Sequence, residues 1–238
     1  RGVQRDGADG GRAGAARFEP RPQTGVLLDE ADWRARAEDT PEAAKAALRE
    51  AADRIRRYHE HQVDHGFRYT EDGIELGQRV RPIGAVGVYA PGGKARYPST
   101  VLMTAVVAQV AGVPRIVLAT PNPTPELLYA ALVSGVTEVV DAGGAQAIGA
   151  LAYGTETVTR VDKIVGPGNL YVACAKRLVF GIVDIHSIAR PPELLVVSYA
   201  AAEPNLVAPD PFTHPAPSHD AYTPSVPPAP VPPPPPPT

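Results

Sequence analysis

Four short apolar runs, at residues 85–90 (AVGVYA), 115–120 (RIVLAT), 138–142 (EVVDA) and 161–165 (VDKIV), alternate with segments whose apolar residues recur at helical spacing. No other feature narrows the fold of this chain so far. Runs of this kind put apolar side chains on both faces of a strand, so both faces must be covered. Helices placed between them can connect parallel strands and supply that cover. The expected fold class is therefore α/β, a parallel sheet in Rossmann-like αβα layers. Helices are expected at 99–112, capped by Ser99 or Thr100, at 126–133, at 146–153 and at 171–178, with a last strand over 194–199.

Glycine-rich turns follow three of these strands: Pro91-Gly92-Gly93, Gly143-Gly144-Ala145-Gln146 and Gly166-Pro167-Gly168-Asn169. Glycine allows positive φ and close backbone approach, and a helix start offers free N–H groups to an anion. Gln146 and Asn169 add carboxamides that donate and accept at once. The stretch 143–169 suits a nucleotide, and it equally suits ordinary strand-to-helix turns, which also favour Gly and Asn. In a parallel sheet all three turns share the carboxyl rim, where ligands sit if the strand order reverses.

The flanks read differently. Residues 1–39 are expected to be mostly disordered lead, the first sixteen being almost all Gly, Ala, Arg and Asp without periodicity. Residues 40–80 form a helix and an arm. Thr40 can cap a helix carrying Ala44, Leu48, Ala51, Ala52, Ile55 and Tyr58 on one face to about Val63, with Lys45, Arg49, Asp53, Arg56 and Arg57 on the solvated face. Gly73 and Gly77 punctuate residues 69–81 as a hairpin or covering arm. The α/β region occupies 81–200, and 201–238 is a proline-rich disordered tail, holding half of the 28 prolines after Ala208. His59, His61 and His65 lie where the first helix ends and read as surface histidines.

Composition removes several classes of function. A net charge of −3 with pI near 6.1 gives no electrostatic reason for a nucleic-acid or anionic-membrane partner. No run is apolar for the length a bilayer needs. Cys174 is the one cysteine. It excludes an internal disulfide and a CxxC metal site and points to a reducing, cytoplasmic compartment. Set among Val172, Ala173 and Ala175, it reads as a small buried apolar residue rather than a nucleophile. The chain opens at Arg1 without methionine, so its true start is expected to lie upstream.

The blocks RPIGAVGVYAPGGKARYPSTVLMTAVVAQVAGV, GVTEVVDAGGAQAIGALAYGTETV and VDKIVGPGNLYVACAKRLVFG, within residues 40–197, resemble the histidinol dehydrogenase family. The resemblance implies a zinc-dependent homodimer of histidine biosynthesis that uses NAD to oxidise L-histidinol through the aldehyde to L-histidine. It implies that Tyr89, Gln146 and Asn169 contact NAD. After Gly181 the chain departs from the family pattern. Arg190 replaces a glycine and Pro192 the serine that contacts substrate. In residues 210–217, His214 stands at a glutamine zinc ligand and Pro217 at a histidine one, so the zinc ligands are not retained. The family's Glu-His acid/base pair lies beyond the polyproline end. The resemblance thus implies a truncated or divergent chain, keeping the NAD-binding half and inactive alone, with no catalytic or metal-binding residue to nominate. The alternative is a non-enzymatic fragment that binds a dinucleotide or pairs with a subunit.

Overall fold

The computed structural model describes residues 26–92 and 97–186, together with two short strands farther along. The chain divides into two compact units, residues 1–188 and 189–238. The first contains helices α1 (Glu30–Glu38) and α2 (Glu42–Glu60), then a hairpin of β1 (Phe67–Glu71) and β2 (Ile74–Gln78). Next come β3 (Ala85–Tyr89) and α3, a helix of consecutive segments Pro98–Val101, Leu102–Val106 and Val107–Val110, the middle one in π geometry. They are followed by β4 (Arg115–Ala119), α4 (Pro125–Val133), β5 (Glu138–Val140), α5 (Gly144–Tyr153), β6 (Lys163–Val165), α6 (Leu170–Val179) and β7 (Asp184–Ile185). Every expected strand and helix of the α/β region up to residue 179 is present, with ends displaced by a few residues. In the second unit, β8 (Val196–Val197) pairs in parallel with β9 (Ser225–Val226). The rest of the strand expected over 194–199 lies outside the described residues.

The sheet has five parallel strands in the order β5-β4-β3-β6-β7. The chain leaves β3 toward one edge and then returns to lay β6 on its other side, so the order reverses between β3 and β6. That is the doubly wound arrangement, with its switch point between those two strands. Residues alternate across the sheet as the pleat requires. Val86, Val88, Ile116, Leu118 and Val139 face a layer built from α1 to α4, whereas Ala85, Tyr89, Val117, Ala119, Val140, Ile164 and Ile185 face α5 and α6. Gly87 lies under α5, where a Cβ would come 3.0 Å from Leu151 Cδ1 and 3.2 Å from Val161. Its missing side chain lets that helix settle onto β3.

The expectation of a mostly disordered lead did not anticipate α1. Asp29 caps it, Oδ1 accepting from the N–H groups of Ala31 and Asp32 at 2.9 and 3.1 Å. Trp33 and Ala37 are then buried against α4. Just before the helix, Leu28 N–H donates to the Val139 carbonyl and Asp141 N–H to that of Val26. This antiparallel bridge covers the free edge of β5, which would otherwise expose unpaired backbone groups.

Two readings of α2 are corrected. Pro41 takes the cap position rather than Thr40, whose buried hydroxyl has no hydrogen-bond partner among the described residues. Lys45, assigned to the solvated face, is 7% exposed: its ammonium lies 2.7 Å from Glu38 and 3.1 Å from Glu42, over the Tyr129 ring. Packing against α4 requires this, and the two carboxylates compensate the lysine's lost hydration. The hairpin is exposed throughout, with Phe67, Tyr69, Ile74 and Leu76 on one face and the Arg68–Glu75 ion pair on the other.

Because α1 is part of the core, Trp33→Ala should cost about 3 to 5 kcal/mol of unfolding free energy in urea titration. A loss below about 1 kcal/mol would show that α1 is not docked.

Candidate functional site

The carboxyl rim of the sheet is built from backbone that tolerates almost no added atoms. At the end of β6, Gly166 has φ +101°, and a Cβ there would overlap the carbonyl oxygen of Tyr89 at the end of β3. Only glycine meets both demands. One strand along, Pro121 fills the gap between the turns after β3 and β5. A Cβ on Gly92 would lie 2.5 Å from its ring and one on Gly143 would lie 2.7 Å from it. These glycines are therefore needed first by the protein's own packing, which locks three turns into one continuous rim.

Tyr89 connects this rim to α5. Its side chain is 3% exposed and its hydroxyl accepts from the Gly144 N–H at 3.0 Å. The ring is thus enclosed beneath the helix start. It is not an open platform on which a base could lie, and only its hydroxyl end stands near the rim. Gln146, 8% exposed, folds back over the start of its own helix, with Oε1 2.7 Å from where a Gly144 Cβ would be. Asn169 is exposed and caps α6, Oδ1 accepting from Val172 N–H at 3.1 Å. Its Nδ2 has no partner among the described residues, so it presents a donor to solvent at the rim. The structure thus brings Tyr89, Gln146 and Asn169 to one edge, in three different roles.

Sequence reasoning missed Lys176. It lies on the buried stripe of α6 with Val172, Ala175 and Val179, is 4% exposed, and donates from Nζ to the Gly166 carbonyl. No acidic side chain pairs with it among the described residues. Burial lowers its pKa from 10.5 to about 8. A signal was present: a lysine in the apolar stripe of a predicted helix, one residue from Ala175. Cys174, by contrast, is exposed rather than buried. The stripe of α6 turned inward runs through Val172, Lys176 and Val179, which leaves Leu170, Tyr171, Cys174 and Leu178 outside.

Other candidates do not join the rim. His59 Nδ1 lies 2.6 Å from Gln62 Oε1, and His61 and His65 are exposed. Among the described residues no group of three or more His, Cys, Asp or Glu side chains is placed to hold a metal ion. A cavity of about 330 Å³ lined by Arg56, Glu60, Val63, His65, Gln109 and Val110 opens beside the helix ends that precede β4, away from the carboxyl rim. Arg190, Pro192, His214 and Pro217 lie outside the described residues. No described helix is long and apolar enough to cross a membrane.

Comparison with known proteins places these features in context. The family model described as histidinol dehydrogenase matches residues 1–221. The chain is 54% identical over 197 residues to the histidinol dehydrogenase of Methylococcus capsulatus, covering 81% of this chain and 44% of that protein. It is 57% identical over 166 residues to that of Aquifex aeolicus, covering 70% and 39%. The crystal structure of histidinol dehydrogenase from Elizabethkingia anophelis superposes with a TM-score of 0.75 at 36% identity, over 84% of this chain and 48% of that one. The chain therefore spans less than half the length of these relatives.

Lys176 has a folded pKa below its unfolded value, so between pH 8 and about 10.5 the unfolded chain binds the extra proton and stability rises with pH. The gain across that window is at most about 3 kcal/mol. Urea titrations over this range should show it in the wild-type chain and not in Lys176→Met; parallel slopes would remove the charge from the buried site.

Proposed function

The chain belongs to the histidinol dehydrogenase family, oxidoreductases of histidine biosynthesis, and from that premise we propose that it supplies the NAD-binding part of an enzyme that oxidises L-histidinol to L-histidine. One observation carries the reading. The turns after β3, β5 and β6 converge on the carboxyl rim, and two of them flank the strand-order reversal, the place where open α/β sheets take their ligands.

The residues present fit a dinucleotide. When bound, NAD accepts the hydride that leaves the alcohol carbon. The chain's own contribution is binding and orientation. Asn169 offers Nδ2 as a donor while Oδ1 stays committed to the helix, so the amide is held in one orientation. Gln146 brings a second carboxamide over the start of α5, and Tyr89 acts through its hydroxyl end while its ring fixes Gly144. The helix starts at Gly144 and Leu170 add backbone donors and a favourable field for a phosphate.

Zinc is different. The described residues provide no ligand set that fits it, so no step is assigned to a metal here. Nor is a base for the alcohol proton assigned to any residue. On this reading the chain binds NAD and does not turn over L-histidinol unaided. A fragment that pairs with another subunit is the second reading, favoured by exposed Leu170, Tyr171, Leu178 and Phe180 on and just after α6.

Calorimetric titration with NAD tests the site. Gln146→Ala should weaken binding by about 1 kcal/mol or more, the scale of one hydrogen bond. Asn169→Asp is the sharper variant. Aspartate keeps the cap on Val172 N–H and loses the donor, so melting temperature should hold while NAD affinity drops at least fivefold, about 1 kcal/mol. Wild-type affinity in both variants would remove them from the site. Formation of reduced cofactor by this chain with L-histidinol, NAD and zinc would overturn the expectation that it is inactive alone.

A further inference from the structure

Lys176 is placed where a lysine costs stability. It is 96% buried by exposure, since only 4% of its surface remains accessible, and no acidic side chain pairs with it among the described residues. A methionine of similar length would fill the same stripe beside Val172, Ala175 and Val179 without desolvating a charge. Among the described residues, the acceptor it reaches is not on its own helix or in the core. It is the carbonyl of Gly166, the first residue of the turn that ends in Asn169.

That carbonyl belongs to a residue with little freedom on its other side. Gly166 has φ +101° and sits against the Tyr89 backbone. Two residues on, Gly168 is pressed against Val172, a Cβ there overlapping the valine side chain. Asn169 then caps α6 through the N–H of the same Val172. The turn is therefore held at Gly166 by Lys176 and at Gly168 and Asn169 by Val172. Both residues stand on the inner face of α6, one turn apart. Releasing the first hold leaves the turn fixed from α6 at Gly168 and Asn169 alone, and so loosens the path from Gly166 that aims the Asn169 amide.

We propose that Lys176 is a positioning residue for the cofactor. By clamping the Gly166 carbonyl it sets the path of the 166–169 turn and so the orientation in which Asn169 presents Nδ2 at the rim. Local stability is given up for a fixed turn, the kind of conflict between local and global preference that marks functional positions. The inference rests on the NAD-binding reading above and deepens it.

The test uses the full chain with Lys176→Met and Lys176→Arg, followed by thermal melting, NAD calorimetry and amide hydrogen exchange. Lys176→Met is expected to melt at the same or a higher temperature while its NAD dissociation constant rises at least fivefold. The amides of Val172 and Ala173, which donate to Oδ1 and to the carbonyl of Asn169, should exchange at least tenfold faster, with core strand amides unchanged. Lys176→Arg, which keeps a cationic donor, is expected to recover part of the affinity. Three results would each overturn the proposal: an NAD affinity in Lys176→Met within twofold of wild type, a lowered melting temperature with uniform loosening, or unchanged exchange at residues 172 and 173. If the wild-type chain binds no NAD, it is the binding reading that fails, and the exchange rates still decide whether Lys176 sets the turn.

Discussion

The tightest approach at the described glycines is that of Gly166 to the Tyr89 carbonyl, where β6 ends beside β3. Parallel pairing of Val86 with Lys163 and Val88 with Val165 brings the two strand ends level, and the chain can leave β6 there only through a residue without a side chain. Much else at the rim depends on that meeting. The Tyr89 side chain turns from it to α5 and receives the Gly144 N–H, while Lys176 reaches up from α6 to the Gly166 carbonyl. Both helices that frame the candidate site are thus referred to the same two residues.

Burial on both faces makes such a rim stiff enough to matter. All of β3 is buried, and β4 is buried from Ile116 to Ala119, so these central strands cannot tilt without disturbing two cores at once. At about 25 cal/mol for each Å² of apolar surface removed from water, two-sided cover of the sheet is the dominant stabilising term. The edges are less evenly served. Residues 26–28 close the β5 side by backbone pairing. On the opposite side α6 presents Leu170, Tyr171 and Leu178 outward, and Phe180 and Ile182 follow them to the surface. This contrast gives the unit one finished flank and one apolar flank.

Much of the fold was legible because its signals are local. The apolar runs at 85–90 and 115–120 became β3 and β4, and proline and glycine between them set the loop positions within a few residues. The signals that failed depend on distant partners. Nothing near Trp33 tells that α4 waits to receive it, and Lys45 resembles any lysine of a solvated face until Tyr129 and Glu38 are brought beside it. For Cys174 the neighbours in sequence were misleading. Val172 and Ala175 are buried, yet the helical rotation of about 100° per residue carries Cys174 round to the exposed side.

Period and punctuation in the sequence by themselves determined an α/β chain with glycine turns after its strands, and the carboxamides at 146 and 169 on those turns. They did so because strand and helix patterns are written in the spacing of neighbouring residues. The family resemblance was likewise a property of the sequence. Only the tertiary structure decided that the order reverses between β3 and β6, that the Tyr89 ring is enclosed with its hydroxyl on Gly144, and that a lysine of α6 grips the turn before Asn169. Each of these joins residues many positions apart, and it is the packing of helices across the sheet that brings them within hydrogen-bond distance.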